Sequence, residues 1–409
     1  MNDFKYIIEK LDEKFCLDFL SKMVQFKSYS ETDGEREIAY FMQEQMAGLG
    51  LHAELEPIED TDGRVNAIGR WQGQGGGKSL LFNGHLDTNP VTAGWTVDPW
   101  AGLVDEDFIY GIGVSNMKSG DAAYFCAVKT LIDQGIKLKG DVILTFVVGE
   151  LQGGVGSIQA LKNGLRADYF VNSEPTDLKA LTLHAGAFNF VIEITGVTRH
   201  VSKREEAVDA IAAACELIPE INRMTFSGAT TEEHQAVNRA NVGVIRGSLS
   251  PEFHDWRAPQ IADFVRLAGT GRYAPSQSED VVLADLRVKL DELEARFPGL
   301  STKVFREQEL DGLPTMLPFE VSKSSKIVKA INSAYEAVRC EPQPTGPFPP
   351  PCFYGTDAAH FLHMGDMEGI VCGPGGRYNT MPDERVDIPD FLDMVKIYIL
   401  TILEICEIA

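Results

Sequence analysis

Ser79-Leu80-Leu81-Phe82-Asn83-Gly84-His85-Leu86-Asp87-Thr88 is the stretch on which the fold turns. A short apolar run suits a buried strand, and here polar residues crowd its end. Ligands of open α/β sheets collect beyond the carboxyl ends of the strands, so residues that follow such runs are the ones to examine for chemistry. Three more runs repeat the arrangement. Residues 142–148 lead into Gly149-Glu150-Leu151-Gln152-Gly153-Gly154, residues 169–171 into Asn172-Ser173-Glu174-Pro175-Thr176, and residues 369–372 into Gly373-Pro374-Gly375-Gly376-Arg377-Tyr378-Asn379.

Working outward, apolar residues at helical spacing mark 6–24, 35–49 and 120–134. Helices alternating with buried strands predict a βα-type sheet covered on both faces. Between about 184 and 313 the texture changes. Strands at 188–195, 240–246, 281–288 and 302–308, with helices at 207–224 and 289–297, follow the order strand-helix-strand-strand-helix-strand, the split βαβ of a ferredoxin-like module. A further helix at 259–267 is expected inside the interruption at 248–278. The prediction is an α/β chain of two domains: a sheet-and-helix domain made of 1–183 and 316–409, interrupted by a ferredoxin-like α+β domain at 184–315. The proline-rich 342–351 reads as a rigid loop of the resumed first domain.

Composition agrees with two domains, because 409 residues exceed what one hydrophobic core usually serves. Sixty acidic against 37 basic side chains give a formal charge of −23, which repels phosphate backbones and anionic lipid surfaces. Nucleic acid and membranes are therefore not the expected partners. The 7 cysteines, an odd number with no CxxC pair, argue against a disulfide framework and a zinc knuckle. The start of the chain has no apolar h-region and no stretch approaches the roughly 20 apolar residues of a membrane span, so a cytoplasmic enzyme acting on a small molecule is expected.

At the first strand end, a neutral His85 can hold a metal while Asp87 fixes its tautomer, although a buried structural hydrogen bond gives the same spacing. Glu150 suits a general base in a low-dielectric cleft, or a cap on the following helix. Glu174 before Pro175 can likewise be a ligand or a cap. Phe348, Phe353, Tyr354 and Phe361 flank Gly355-Thr356-Asp357 and serve either the core or a pocket for a flat aromatic acid.

Order and spacing add to this. Gly84-His85-Leu86-Asp87-Thr88, Gly111-Ile112-Gly113-Val114-Ser115-Asn116-Met117-Lys118-Ser119-Gly120, Glu150-Leu151-Gln152-Gly153-Gly154, Glu174-Pro175-Thr176, Gly196-Val197-Thr198-Arg199-His200, Gly355-Thr356-Asp357 and Gly373-Pro374-Gly375 through Glu384 occur in sequence order. In this the chain resembles the metallopeptidase family that includes aminoacylase, carboxypeptidase G, acetylornithine deacetylase and succinyl-diaminopimelate desuccinylase. The resemblance implies His85 and Glu174 as metal ligands, Asp87 as the support of His85, and Glu150 as the base that activates water. It gives His200, in the inserted lid or dimerisation domain, an oxyanion of the substrate, and implies a homodimer or larger homo-oligomer. Arg272 lies where the family often has a substrate-contacting asparagine. Arg377, Asn379 and Asp357 are further substrate-binding candidates, though either arginine can instead pair with acids.

The pattern is broken at three of five metal-ligand positions. Asn116 stands for the bridging aspartate, Leu151 for the second glutamate of the pair, and Thr380 for the histidine before Glu384. One labile divalent transition metal per site (Mn, Zn or Co) is therefore expected, with Asn116 able to add its carbonyl oxygen. The expected activity is metal-dependent hydrolysis of a C–N bond in a small carboxylate-bearing substrate. Within it the leading candidate is hydrolytic deamination of an aromatic amino acid such as 5-nitroanthranilate, part of aromatic compound degradation. Deacylation of an N-acyl amino acid is the alternative, and a non-catalytic small-molecule-binding protein the alternative of another class.

Overall fold

The computed structural model describes residues 4–255, 257–307, 312 and 314–409. They form two compact units, one running up to Leu183 and through Phe319–Pro351 and Thr356–Ala409, the other comprising His184–Pro318 with Cys352–Gly355.

The first unit is built on a mixed sheet of eight strands in the order His52–Pro57, Val65–Trp71, Val142–Val147, Leu80–His85, Tyr169–Asn172, Glu368–Val371, Ala180–Leu181, Thr345–Gly346. Four neighbours in the middle, from Val142–Val147 to Glu368–Val371, are parallel, so their carboxyl ends lie along one edge. Every residue of Leu80–His85 and Val142–Val147 is buried, as expected of strands covered on both faces. Successive side chains show the two layers. Phe82 packs on Tyr124 of helix Ser119–Asp133 and Tyr398 of helix Ile388–Cys406, while Asn83 donates to Ser157 of helix Val155–Lys162 on the opposite face. The expected helix at 6–24 is two helices, Lys5–Ile8 and Glu13–Val24, because Asp12 accepts from the Phe15 amide and caps a new start. No helix among the described residues is long and apolar enough to cross a membrane.

The second unit has an antiparallel sheet in the order Arg239–Ser248, Phe264–Tyr273, Gly186–Thr195, Ser301–Arg306, with helices Ala210–Ile221 and Glu279–Arg296 packed on it. The ferredoxin-like order is present, but two elements were misassigned from sequence. Residues 281–288 belong to helix Glu279–Arg296, whose buried Val282, Leu286, Leu290 and Leu293 recur at helical spacing. The missing strand is Phe264–Tyr273, where a helix at 259–267 was expected. Gly269 and Gly271, inside the interruption at 248–278, lie opposite Phe190 and Phe188. They make room for the rings: a Cβ on Gly269 would come within 2.4 Å of Phe190 Cζ and 2.6 Å of the Asn241 carbonyl oxygen. The last residue expected in the final strand, Gln308, lies outside the described residues.

Gly269→Val should therefore destabilise the second unit by about 1–3 kcal/mol through overpacking. Urea unfolding would show this as a lower midpoint, and an unchanged midpoint would remove the close-approach explanation for this glycine.

Candidate active site

The parallel strand ends bring His85, Glu150 and Glu174 together. Their potential ligand atoms all lie within 4.8 Å of one another, a group able to hold a metal ion. His85 Nδ1–H donates to the Asp87 carbonyl oxygen at 2.9 Å and lies 3.4 Å from the Asp87 carboxylate. Its Nε2 faces two further oxygens, Asn116 Oδ1 at 3.2 Å and Glu174 Oε1 at 3.5 Å. A neutral ring that donates from Nδ1 has only a lone pair at Nε2. That side of the ring is complete only with a proton or a cation between it and the oxygens.

Asp87 is wholly buried and orders the surroundings. Its Oδ1 accepts from the amides of Gly149 (2.9 Å) and Glu150 (3.3 Å), and its Oδ2 from the Leu151 amide (3.2 Å) and the Ser30 hydroxyl (3.1 Å). Gly149 adopts φ of 78°, which lets the strand turn at once so that three successive amides converge on one carboxylate. The same group that holds His85 thus holds the turn carrying Glu150.

Electrostatics follow from this crowding. Burial alone would lower the His85 pKa, but the hydrogen bond and charge of Asp87, then the charges of Glu174 and Glu150, outweigh it and hold the ring well above its ordinary range. Burial would raise Asp87, and His85 reverses this and keeps it low. Glu150 is pushed well up by burial and then by the neighbouring Glu174. Burial, with the charges of Asp357 and Asp87, pushes Glu174 up to about 7 against the pull of His85. Asp357 accepts from Ser157 Oγ at 2.7 Å, while its buried Oδ1 has no partner among the described residues.

The other candidates divide. Asn116 lies at His85, and its backbone amide donates to Glu384 Oε1 at 3.0 Å, beside that of Ser115 at 2.9 Å. Leu151 has no ligand atom and Thr380 only a neutral hydroxyl, and Leu151 is exposed. Asn379 presents a buried Oδ1 with no partner among the described residues. Arg377 is engaged by carboxylates, with Nη2 donating to Asp390 at 2.6 Å and Nε to Asp177 at 3.2 Å. Its guanidinium braces the Gly-rich turn. His200 and Arg272 belong to the second unit, His200 accepting from the Ser202 amide at the start of Val201–Glu206 and Arg272 paired across strands with Ala187 and Arg239. Three of the four aromatic residues named from sequence have partners: Phe361 packs on Phe170, Phe348 lies under Lys179, and Arg239 stacks on Phe353. An aromatic missed from sequence, Trp95, lines a cavity of about 360 Å³ together with Ile112, Asn116, Thr380, Met381 and others. Nothing in the local pattern at 89–97 marks it, since Trp95 follows no apolar run.

The family model described as peptidase family M20/M25/M40 matches residues 81–404. The chain is 26% identical over 373 residues to N-formyl-4-amino-5-aminomethyl-2-methylpyrimidine deformylase of Bacillus subtilis (strain 168), covering 84% of each. It is 28% identical over 295 residues to acetylornithine deacetylase of Aliivibrio fischeri (strain ATCC 700601 / ES114), covering 69% of this chain and 74% of the relative. Among solved structures, the M20 family metallo-carboxypeptidase Sso-CP2 from Sulfolobus solfataricus has a similar fold, with a TM-score of 0.75 at 19% identity over 97% of this chain and 99% of that one.

In metal-free protein, the His85 ring should remain charged above the ordinary histidine range. Asp87→Asn removes the hydrogen bond and charge that do most to offset burial, so the ring should then titrate at a lower pH than in the wild type. Histidine ¹⁵N chemical shifts followed against pH would show it, and identical titration in both proteins would discredit the Asp87–His85 coupling.

Proposed function

Since the chain belongs to peptidase family M20/M25/M40, we propose that it is a metal-dependent hydrolase of a C–N bond in a small carboxylate-bearing substrate, with one labile divalent metal and Glu150 as general base. The observation that carries this is the set of oxygens facing His85 Nε2, with Glu150 beside them and no charged ligand at 116, 151 or 380.

The residues present fit one dication. His85 and Glu174 would hold it, Asn116 could add a carbonyl oxygen, and the buried acids, whose pKa values are raised by burial and then by neighbouring carboxylates, would gain a countercharge. When bound, such a metal supplies polarisation of the reacting group and a lowered pKa for water. The chain supplies the rest. Asp87 fixes the His85 ring and the 149–151 turn. Glu150, desolvated and raised in pKa, takes the proton of the attacking water and passes it to the departing nitrogen. Asp357 and Asn379, each with a buried oxygen lacking a partner among the described residues, are proposed to contact substrate. On the resemblance alone we extend such roles to His200 and Arg272. The edge strand Arg239–Ser248, which exposes Val244 and Ile245, supports self-association of this protein into a homodimer.

Two kinds of substrate in this class suit the site. The relatives named as deformylase and deacetylase support removal of an acyl group from an amine. The neutral residues at 116, 151 and 380 favour hydrolytic deamination of an aromatic amino acid such as 5-nitroanthranilate. The adjacent amine and carboxylate of such a compound can fill coordination positions that the protein leaves open.

Glu150→Gln should lower turnover at least about 10²-fold while retaining substrate binding, and unchanged turnover would remove Glu150 from the role of base. Absence of turnover on both N-acyl amino acids and aminobenzoates by metal-loaded wild type would support a binding protein instead. Elemental mass spectrometry should find one metal per chain, and two would refute the one-metal site. Apparent metal affinity should increase as pH rises from about 6 to about 8, because protons on His85 and on Glu174 compete with the cation at the lower end. Competition titration with a chelator would measure this, and a flat or opposite trend would count against these ligands.

A further inference from the structure

Arg64, which immediately precedes strand Val65–Trp71, is almost enclosed, and its guanidinium faces the fully buried carboxylate of Glu35. Nε donates to Glu35 Oε2 at 2.8 Å and Nη2 to Glu35 Oε1 at 2.7 Å, a two-pronged bond to the first turn of helix Asp33–Gly48. Neither residue follows a buried strand end, so the pattern that marks His85, Glu150 and Glu174 does not reach them. A buried ion pair says little about stability by itself, because an apolar pair of similar volume often serves as well. This pair has a further contact: Arg64 Nη2 also donates to Gln152 Oε1 at 3.1 Å.

A guanidinium can only donate, so that contact sets the Gln152 amide with its oxygen towards Arg64 and its NH₂ towards Ser30. Gln152 Nε2 donates to Ser30 Oγ, and the Ser30 hydroxyl donates to Asp87 Oδ2 at 3.1 Å. The donors therefore run in one direction from Arg64 to Asp87, the carboxylate that accepts the amides of 149–151. Arg64 also lies against the start of the same turn, where a Cβ on Gly149 would come within 2.9 Å of Nη2. Gly149, Gly153 and Gly154 all have φ near 80°, at 78°, 81° and 81°, and glycine gives a backbone little stiffness of its own. The place of Glu150 thus depends on side chains that grip the turn from outside.

We propose that Arg64 is a positioning residue for the general base: by holding Gln152 and covering Gly149, on either side of Glu150, it fixes where the Glu150 carboxylate stands relative to His85. This role rests on the hydrolase reading above and extends it to what sets the geometry of the base.

Arg64→Lys keeps the charge against Glu35 but replaces the planar fork with a single ammonium, and Gln152→Ala removes the contact from the other side without touching the ion pair. In Mn²⁺-loaded full-length protein, each should lower kcat about tenfold on the N-acyl amino acid or aminobenzoate that wild type turns over, with KM within about twofold. The double variant should fall no further than the weaker single variant, because both break one path. Amide hydrogen exchange in metal-free protein gives a readout independent of turnover. Residues 149–152 should exchange about tenfold faster in either variant, while Leu80–His85 and Val142–Val147 keep wild-type rates. Unchanged kcat in both variants, a change in KM alone, additive losses, or faster exchange spread over the whole sheet each overturns the role of Arg64. Faster exchange confined to 149–152 in a protein whose wild type turns over none of these compounds removes the hydrolase reading and leaves the grip of Arg64 on the turn standing, whereas turnover by wild type with both variants silent removes the Arg64 role alone.

Discussion

The buried carboxylate of Asp87 is the constraint on which the site depends. It accepts three consecutive backbone amides from 149–151 and stands against His85 Nδ1. Two strand ends that are distant in sequence are thereby locked to one point, and Glu150 and His85 are placed by a single group. Burial alone would protonate it, and the hydrogen bond and charge of His85, then the Leu151 amide, keep the carboxylate ionised.

Around that anchor the local charge balance is delicate. Glu150, Glu174 and Asp357 surround one imidazole, and each has its pKa raised by burial. An aspartate at 116 and a glutamate at 151 would add two anions to a cluster that already lacks countercharge, and a second cation would be needed to offset them. The neutral Asn116 and Leu151 relieve that repulsion, and Asn116 still presents an oxygen to His85. The substitutions are thus consistent with one another as well as with a single cation, and they place neutral side chains at 116 and 380 in the lining of the adjoining cavity.

Much of this architecture was legible along the chain. Fully buried parallel strands are apolar throughout, so Leu80–His85, Val142–Val147, Tyr169–Asn172 and Glu368–Val371 stood out with the polar residues that follow them. The second unit was read less well. Val281-Val282-Leu283 has the composition of a strand, and only its packing, with Val282, Leu286 and Leu290 on one face, makes it helical. Phe264–Tyr273 carries two glycines that suggest a loop until Phe188 and Phe190 are seen across the sheet. Cross-strand partners override local propensity because the ring of one strand supplies the volume that the glycine of the other lacks.

By itself the sequence determined which residue types follow each buried strand, and hence that His85, Asp87, Glu150 and Glu174 lie at one edge of a sheet. That follows because strand direction and order bring carboxyl ends together whatever the loops do. Only the tertiary structure decided how those groups are used. Arg377 is taken by Asp177 and Asp390, Phe348, Phe353 and Phe361 have partners, and Trp95 lines the cavity next to Asn116. Hydrogen-bond saturation and cavity shape depend on residues far apart in the chain, and no local pattern encodes them.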